Sequence, residues 1–184
     1  MNDILLLEII QKAKNNDLPA LEFLCAHFYN RIYNYIHYKV DNSEDAKDLT
    51  NEVFVRMVKS IASQSGDFKT WLYKIAANLV IDFYRQKASR KNTMAGYEEF
   101  TKTGISTAPA FESLEYLEAL NTLTEEQKEV VRLRFAEGFD TNEIAEILQK
   151  TPNAVKALQF RAMEKLKAML KDDKNIKVGQ GNPC

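Results

Sequence analysis

Proline and glycine are scarce, at 4 and 6 of 184 residues, so the chain has little of the turn chemistry that hairpin-rich folds need. Long apolar runs are missing too. Lys, Arg, Asp or Glu interrupts each one well before the roughly 20 residues a membrane-spanning helix requires, so no membrane insertion is expected. Met1 to Ile10 sets Asp3 and Glu8 around a short apolar run without a basic leader or a small-residue cleavage site, which argues against a secretion signal and for a cytoplasmic protein. Cys25 and Cys184 lie near opposite ends of the chain, with no CxxC or Cys/His cluster. Both read as free thiols, and His27 beside Cys25 lacks the further ligands a metal needs. No metal and no cofactor are expected. An excess of charge of one sign is absent as well: the formal net charge is −1. Bulk electrostatics therefore cannot drive nucleic-acid binding, and any such contact must come from local clusters.

What is abundant is helical periodicity. Apolar residues, 45% of the chain, recur at spacings of three and four, and alternating β-branched runs are few, so the fold class is all-α. One helix is expected from Leu18-Pro19, carrying Leu21, Leu24, Phe28, Ile32, Tyr35 and Ile36 inward. Asp41-Asn42-Ser43 breaks it and caps the next, where Glu44, Asp45 and Asp48 suit the positive helix N-terminus. This second helix runs to about Ile61 with Ala46, Leu49, Val53, Met57 and Ile61 inward and Asp48, Glu52, Arg56 and Lys59 outward. The polar break Ser63 to Asp67 precedes a third helix, from Thr70 to about Arg90, with a core stripe of Leu72, Ile75, Ala76, Leu79 and Phe83.

From Asn92 to about Pro109 the composition turns to Thr, Ser, Gly, Ala and Lys without periodicity, as in a linker. Two small helical domains follow, at residues 1–91 and 111–171, joined by a flexible linker at 92–110, with a disordered tail at 172–184. The second opens with Leu114, Leu117, Leu120 and Leu123, continues with Val130, Val131, Leu133 and Phe135, and breaks at Glu137 to Asp140.

Two constellations carry chemistry. On the third helix Trp71, Lys74, Asn78, Ile81 and Arg85 form one stripe opposite the core face, flanked by Tyr73, Ala77 and Tyr84. Rings, an amide and long cations suit single-stranded nucleic acid, because bases stack on rings while cations track phosphates. From Lys69 to Lys91 six basic residues face Asp82 alone. A solvated helix face with Trp71 tucked under a neighbour is the plainer reading of the same stripe. In the second domain Thr141 to Leu148 reads as a short amphipathic helix with Thr141 as N-cap. Gln149-Lys150-Thr151 makes a tight turn, and Pro152 sits in the first turn of the next helix. That is the layout of a helix-turn-helix, whose second helix enters the major groove. Val155, Leu158, Ala162 and Leu166 would hold it, leaving Asn153, Lys156, Phe160 and Lys167 outward and Arg161 on a flank.

These residues resemble a known family. Asp45-Ala46-Lys47-Asp48-Leu49-Thr50-Asn51-Glu52-Val53-Phe54 is similar to the D-A-E-D-L-x-Q-E-x-F signature of sigma-70 family region 2, and Phe68-Lys69-Thr70-Trp71-Leu72-Tyr73-Lys74-Ile75-Ala76-Ala77-Asn78 to its F-x-T-W-L-x-x-I-A-x-N continuation. Leu123 to Lys128, Glu137-Gly138, Glu143-Ile144-Ala145 and Ala154-Val155-Lys156 resemble region 4. The length points to the compact extracytoplasmic-function branch of RNA polymerase sigma factors.

The resemblance implies a non-enzymatic subunit that directs core RNA polymerase to promoter DNA, with an anti-sigma factor as a further partner and no small-molecule substrate. Asp48, Leu49, Glu52, Val53 and Arg56 would bind core polymerase. Ser65 in the Ser63 to Lys69 loop, with Lys69, Trp71, Lys74, Asn78 and Arg85, would capture the minus-ten element as a separated strand. Asn153, Lys156, Gln159, Phe160 and Arg161 would read the minus-thirty-five duplex, the cations on phosphates and the others nearer bases or sugars. Gln149 stands where many relatives have Gly, Thr151 where they have Ser, and Ala157-Leu158 where they have Ser-Arg, so the promoter sequence does not carry over. A stand-alone helix-turn-helix regulator would leave the Lys74, Asn78 and Arg85 stripe unexplained. An enzyme lacks support from any nucleophile, acid–base set or phosphate loop.

The near-neutral charge makes one prediction. The isolated protein should bind promoter DNA weakly, because its site is completed by the polymerase; tight, specific binding at moderate salt in a gel-shift titration without polymerase would contradict this.

Overall fold

The computed structural model describes residues 3–40, 42–93 and 122–178. The chain divides into two compact units, Met1–Thr107 and Ala108–Cys184, and the described residues contain helices and no strand.

In the first unit α1 spans Asp3–Lys14 and α2 Leu18–His37. Asn16, with φ of 61°, takes the left-handed conformation that asparagine tolerates at a helix end. Asp17 then caps α2 by accepting from the Ala20 N–H at 2.9 Å, one residue earlier than the Leu18-Pro19 start read from the sequence. Helix α3, Ser43–Ser60, begins as expected at Asn42, whose side chain accepts from the Glu44 N–H at 2.9 Å. It tightens into a 3₁₀ turn at Ile61–Ser63 before α4, Phe68–Thr93. Asp67 caps α4, its carboxylate accepting from the Thr70 N–H at 2.7 Å.

Helices α2, α3 and α4 pack on one another, and α1 lies against α2 and the 3₁₀ turn. The α2 stripe is buried as its spacing requires: Leu21, Leu24, Phe28, Ile32, Tyr35 and Ile36 all reach the core. Ring contacts join α2 to α4, with centroids 5.5 Å apart for Phe28 and Phe68 and 5.2 Å for Tyr35 and Tyr73. Thr50, buried on α3, donates its hydroxyl to the Ala46 carbonyl at 2.7 Å, so no polar atom there is left unpaired.

Helix α4 departs from the sequence reading in one respect. Tyr73 and Ala77, placed beside the exposed stripe, are buried, as is Val80, whereas Ile75 and Phe83 of the expected core stripe are half-buried. The reason is that α4 contacts both α2 and α3. Two neighbours cover a wider arc than the single apolar stripe of a surface helix. Tyr84 is likewise no free flank, since its hydroxyl donates to the Lys39 carbonyl.

In the second unit α5 is Glu125–Phe135, α6 Thr141–Ile147 and α7 Pro152–Val178. Thr124 and Gln127 form a reciprocal capping box on α5. The cap of α6 is Asp140 and not Thr141. One carboxylate oxygen accepts from the N–H groups of Asn142 and Glu143 at 2.7 and 2.9 Å, and Glu143 reaches back to the Asp140 N–H. The aspartate wins because it stands one residue upstream of the first helical turn, in the D-x-x-E spacing of a capping box. Val130, Leu133, Phe139, Ile144, Ile147 and Val155 are buried, and Leu123, Val131 and Ala162 cluster with Leu166 beside them.

Helix α7 continues to Val178, past the 171 boundary expected for the domain, so 172–178 is helix and not disordered tail. Its residues there are ordinary helix formers, and the first glycine comes only at 179. The expected linker from 94 onward, with Leu114, Leu117 and Leu120, and the tail from 179 lie outside the described residues.

Because Asp140 satisfies two otherwise orphaned N–H groups, Asp140→Ala should lower the stability of the second unit by about 1–2 kcal/mol, and Asp140→Asn by less. Urea titration of the full chain, followed by circular dichroism, checks both values.

Candidate nucleic-acid and polymerase interfaces

The α3 face presents Asp48 and Arg56 to solvent with Glu52 and Leu49 half-buried. Glu52 Oε1 and Arg56 Nε pair at 2.9 Å one turn apart. Both side chains are about half exposed, so the pair contributes only about 0.3–0.5 kcal/mol and remains open to exchange with a partner's charges. Val53 is a correction: at 0% exposure it belongs to the inward row with Ala46, Thr50, Phe54 and Met57, and it supports this face without forming part of it. Two residues the sequence reading passed over are Val55 and Val58, exposed at 43% and 41% on the same helix. They break the apolar period, which is the signal that could have found them.

The loop between the 3₁₀ turn and α4 exposes Ser65 and Gly66, while Gln64 is buried. Gly66 has φ of 77° with open space where a Cβ would stand, so glycine is needed there for backbone conformation alone. The Gln64 Nε2 group donates to the Ser65 and Gly66 carbonyls at 3.1 and 2.9 Å, making the loop a closed unit.

Along α4, Lys69, Trp71, Lys74 and Asn78 are half-buried, and Ile81 and Arg85 are exposed. Trp71, Lys74, Asn78, Ile81 and Arg85 remain one stripe, as the spacing predicted, whereas Lys69 projects on the side of Tyr73. Trp71 leans on Phe68 with centroids 5.7 Å apart, which fixes its ring at the edge of the core. Lys69 lies over the Tyr73 ring at 5.9 Å and Lys39 over Tyr35 at 5.0 Å, within reach of cation–π attraction. Arg85 stands 3.8 Å from Asp82 at the exposed end.

Cys25 and His27 take no part in either face. Burial, and then the Glu22 charge, pushes the Cys25 thiol up, while burial and then Arg31 hold His27 below the usual imidazole range. His27 is stacked on Phe23 at 5.8 Å, a packing role.

In the second unit the turn before α7 is tight: the Lys150 N–H donates to the Ala145 carbonyl at 2.9 Å, and Gln149 has φ of 53°. That left-handed backbone is one that favours glycine. Thr151 caps α7 through its hydroxyl, which accepts from the Ala154 N–H at 3.2 Å. Helix α7 packs on α5 and α6 through Val155 and Ala162. Asn153, Lys156, Phe160 and Arg161 are exposed, and Gln159 is half-buried at the edge. Phe160 is 68% exposed, so its ring lies open on the outward face of α7.

A helical pair with a capped tight turn and a polar, basic second helix is the geometry of a DNA-binding helix-turn-helix. Joined in one chain to a helical unit carrying a cationic aromatic stripe, it defines the class of two-unit, all-helical proteins with a helix-turn-helix. The sigma-70 region 2 family matches residues 24–90 and the sigma-70 region 4 family residues 113–166. The chain is 32% identical over 177 residues to the ECF RNA polymerase sigma factor BldN of Streptomyces coelicolor, covering 91% of this chain and 67% of that one. It is 30% identical over 145 residues to the sigma factor SigV of Bacillus subtilis, covering 78% and 84%. The fold is similar to that of CnrH, solved in complex with the cytosolic domain of CnrY, with a TM-score of 0.61 at 20% identity over 90% of this chain and 96% of that one. A TM-score of 0.61, also at 20% identity, relates it to the sigma factor RpoE of Bartonella quintana, solved with the anti-sigma factor NepR, over 82% and 96%. This chain belongs to the extracytoplasmic-function sigma factors of the sigma-70 family, and its function is to direct RNA polymerase to promoters.

The two sides of α7 should separate in mutagenesis. Phe160→Ala should leave folding stability within about 0.5 kcal/mol, whereas Val155→Ala, on the buried side of the same helix, should cost roughly 2 kcal/mol. Thermal melts of the two variants check this.

Proposed function

We propose a division of labour for promoter direction by this chain. The α3 face of Asp48, Leu49, Glu52 and Arg56 meets core polymerase. Ser65, Lys69 and the α4 stripe of Trp71, Lys74, Asn78 and Arg85 capture the minus-ten strand once it separates. Asn153, Lys156, Gln159, Phe160 and Arg161 approach the intact minus-thirty-five duplex. The observation that carries this reading is the arrangement of α4: six buried residues, from Leu72 to Val80, anchor it, and the cationic aromatic stripe lies on the arc they leave open.

Single-strand capture suits that stripe, since each base offers a stacking face and each phosphate a charge. Duplex reading suits α7, where Lys156 and Arg161 supply phosphate contacts and Asn153 an amide able to pair with a base edge. The protein acts in the cytoplasm as a non-catalytic subunit. No helix among the described residues is long and apolar enough to cross a membrane, in keeping with this placement. An anti-sigma protein is included among its partners, supported by the assemblies in which the structural relatives were solved.

Start-site mapping with purified core polymerase and genomic fragments tests the reading. The protein should produce initiation at a small set of related promoters. At such a promoter Asn78→Ala and Arg85→Ala should each reduce open-complex formation by about tenfold with core affinity retained. Lys156→Ala should weaken promoter binding by the holoenzyme almost evenly across sequences and lower its salt slope by about one. Absence of both initiation and core binding with a folded sample would instead favour a stand-alone regulator.

A further inference from the structure

Helix α1 lies before the matched region 2 segment, which begins at residue 24, and the division of labour above gives it no task. It nonetheless touches the minus-ten loop. The Lys14 Nζ, in its last turn, donates to the Gln64 backbone carbonyl at 2.8 Å, across 50 residues of sequence. The partner is firmly held. The Gln64 N–H donates to the Ile61 carbonyl at 3.1 Å, and its side-chain amide draws in the Ser65 and Gly66 carbonyls. Gln64 is only 7% exposed, so this amide is committed to the loop and unavailable to DNA.

The Lys14 end is equally fixed. Ile10 and Ala13 are buried against the rest of the unit. The α1 C-terminus is closed by N–H groups of Asn15 and Asp17 on the Lys12 carbonyl and of Asn16 on that of Ala13. An ammonium presented from a closed helix end to the carbonyl of a buried residue is a charge-assisted hydrogen bond between two fixed points.

We propose that α1 is a strut that presets the minus-ten loop, with Lys14 and Gln64 as its positioning residues. The inference rests on the reading of Ser65 and its loop as part of the strand-capturing surface. Its physical content is preorganisation. Gly66, at φ of 77°, is of the residue type with the widest backbone freedom, and an unpinned loop would have to be ordered at the moment a base arrives. With Gln64 turned inward and held from α1, the Ser65 side chain and the Gly66 backbone stand outward before DNA is present. Neither residue touches DNA; both act through the loop they hold.

The test uses the full chain with core polymerase on a promoter identified by start-site mapping. Lys14→Met removes the donor and keeps the stem, and Lys14→Arg restores a donor. Open-complex formation by Lys14→Met should fall about tenfold, the scale of losing one charge-assisted hydrogen bond. Lys14→Arg should recover most of that loss. Discrimination among the four bases at the loop-read minus-ten position should relax in Lys14→Met and in Gln64→Ala, while core affinity stays at the parent value. A purely structural role would not move base discrimination. Unaltered opening and discrimination in Lys14→Met, with Asn78→Ala defective, would overturn the strut and leave the minus-ten reading standing. Unaltered opening in both would remove the minus-ten reading and the strut together. A Lys14→Met defect that Lys14→Arg fails to repair, or that tracks a loss of core affinity, would also overturn the proposal.

Discussion

The first unit depends on the ring contacts that lock α2 to α4. Phe28 meets Phe68 at the start of α4 and Tyr35 meets Tyr73 further along, and Tyr84 ties a still later turn to the Lys39 carbonyl at the end of α2. Aromatic pairs contribute both large buried area and a preferred geometry. Three successive joints therefore fix the axial position of α4 and its rotation. Rotation decides which residues face outward, because a register error of a single residue, about 100° of rotation, would send Asn78 toward the core and Ala77 to solvent.

The same contacts explain how a nearly neutral protein presents local positive character. Lys39 and Lys69 rest their ammonium groups near Tyr35 and Tyr73, so rings buried for stability also station cations at the margin of the core. Acidic residues are concentrated elsewhere, Glu44 and Asp45 in the first turn of α3 and Glu125 and Glu126 in that of α5, where the helix dipole favours them. The net charge thus conceals a segregation: acids at helix starts, bases along α4 and α7. The second unit solves a smaller problem. Its recognition helix is oriented by Val155 and Ala162 beneath and by a turn whose left-handed residue is Gln149. The chain accepts the strain of a non-glycine residue there, of order 1 kcal/mol.

Much of this was legible in the sequence because its causes are local. Caps such as Asn42 and the proline at 152 announce helix starts, and three-four spacing announces which residues share a face. The order of the region 2 and region 4 motifs announces the family. The outward residues of α7, Asn153, Lys156, Phe160 and Lys167, fall where that spacing put them. The misplaced residues share one property: their environment depends on how many neighbours pack around their helix. Tyr73 and Ala77 lie beside the core stripe of α4, and nothing local says how far the buried arc extends. Gln64 sits in a run of serines and glycine that reads as solvated loop, yet it is turned inward.

By itself, then, the sequence determined the all-helical class, the helix-turn-helix, the family, and the angular position of each side chain about its own axis. Tertiary structure alone decided how much of each circumference is covered, so that Tyr73 and Ala77 became core while Val55 and Val58 stayed out. It also decided the meeting of Lys14 with Gln64. The physical reason is that the 3.6-residue repeat and the capping chemistry act within a few residues. Burial, by contrast, is settled by segments far apart in the chain that meet only once the helices have packed.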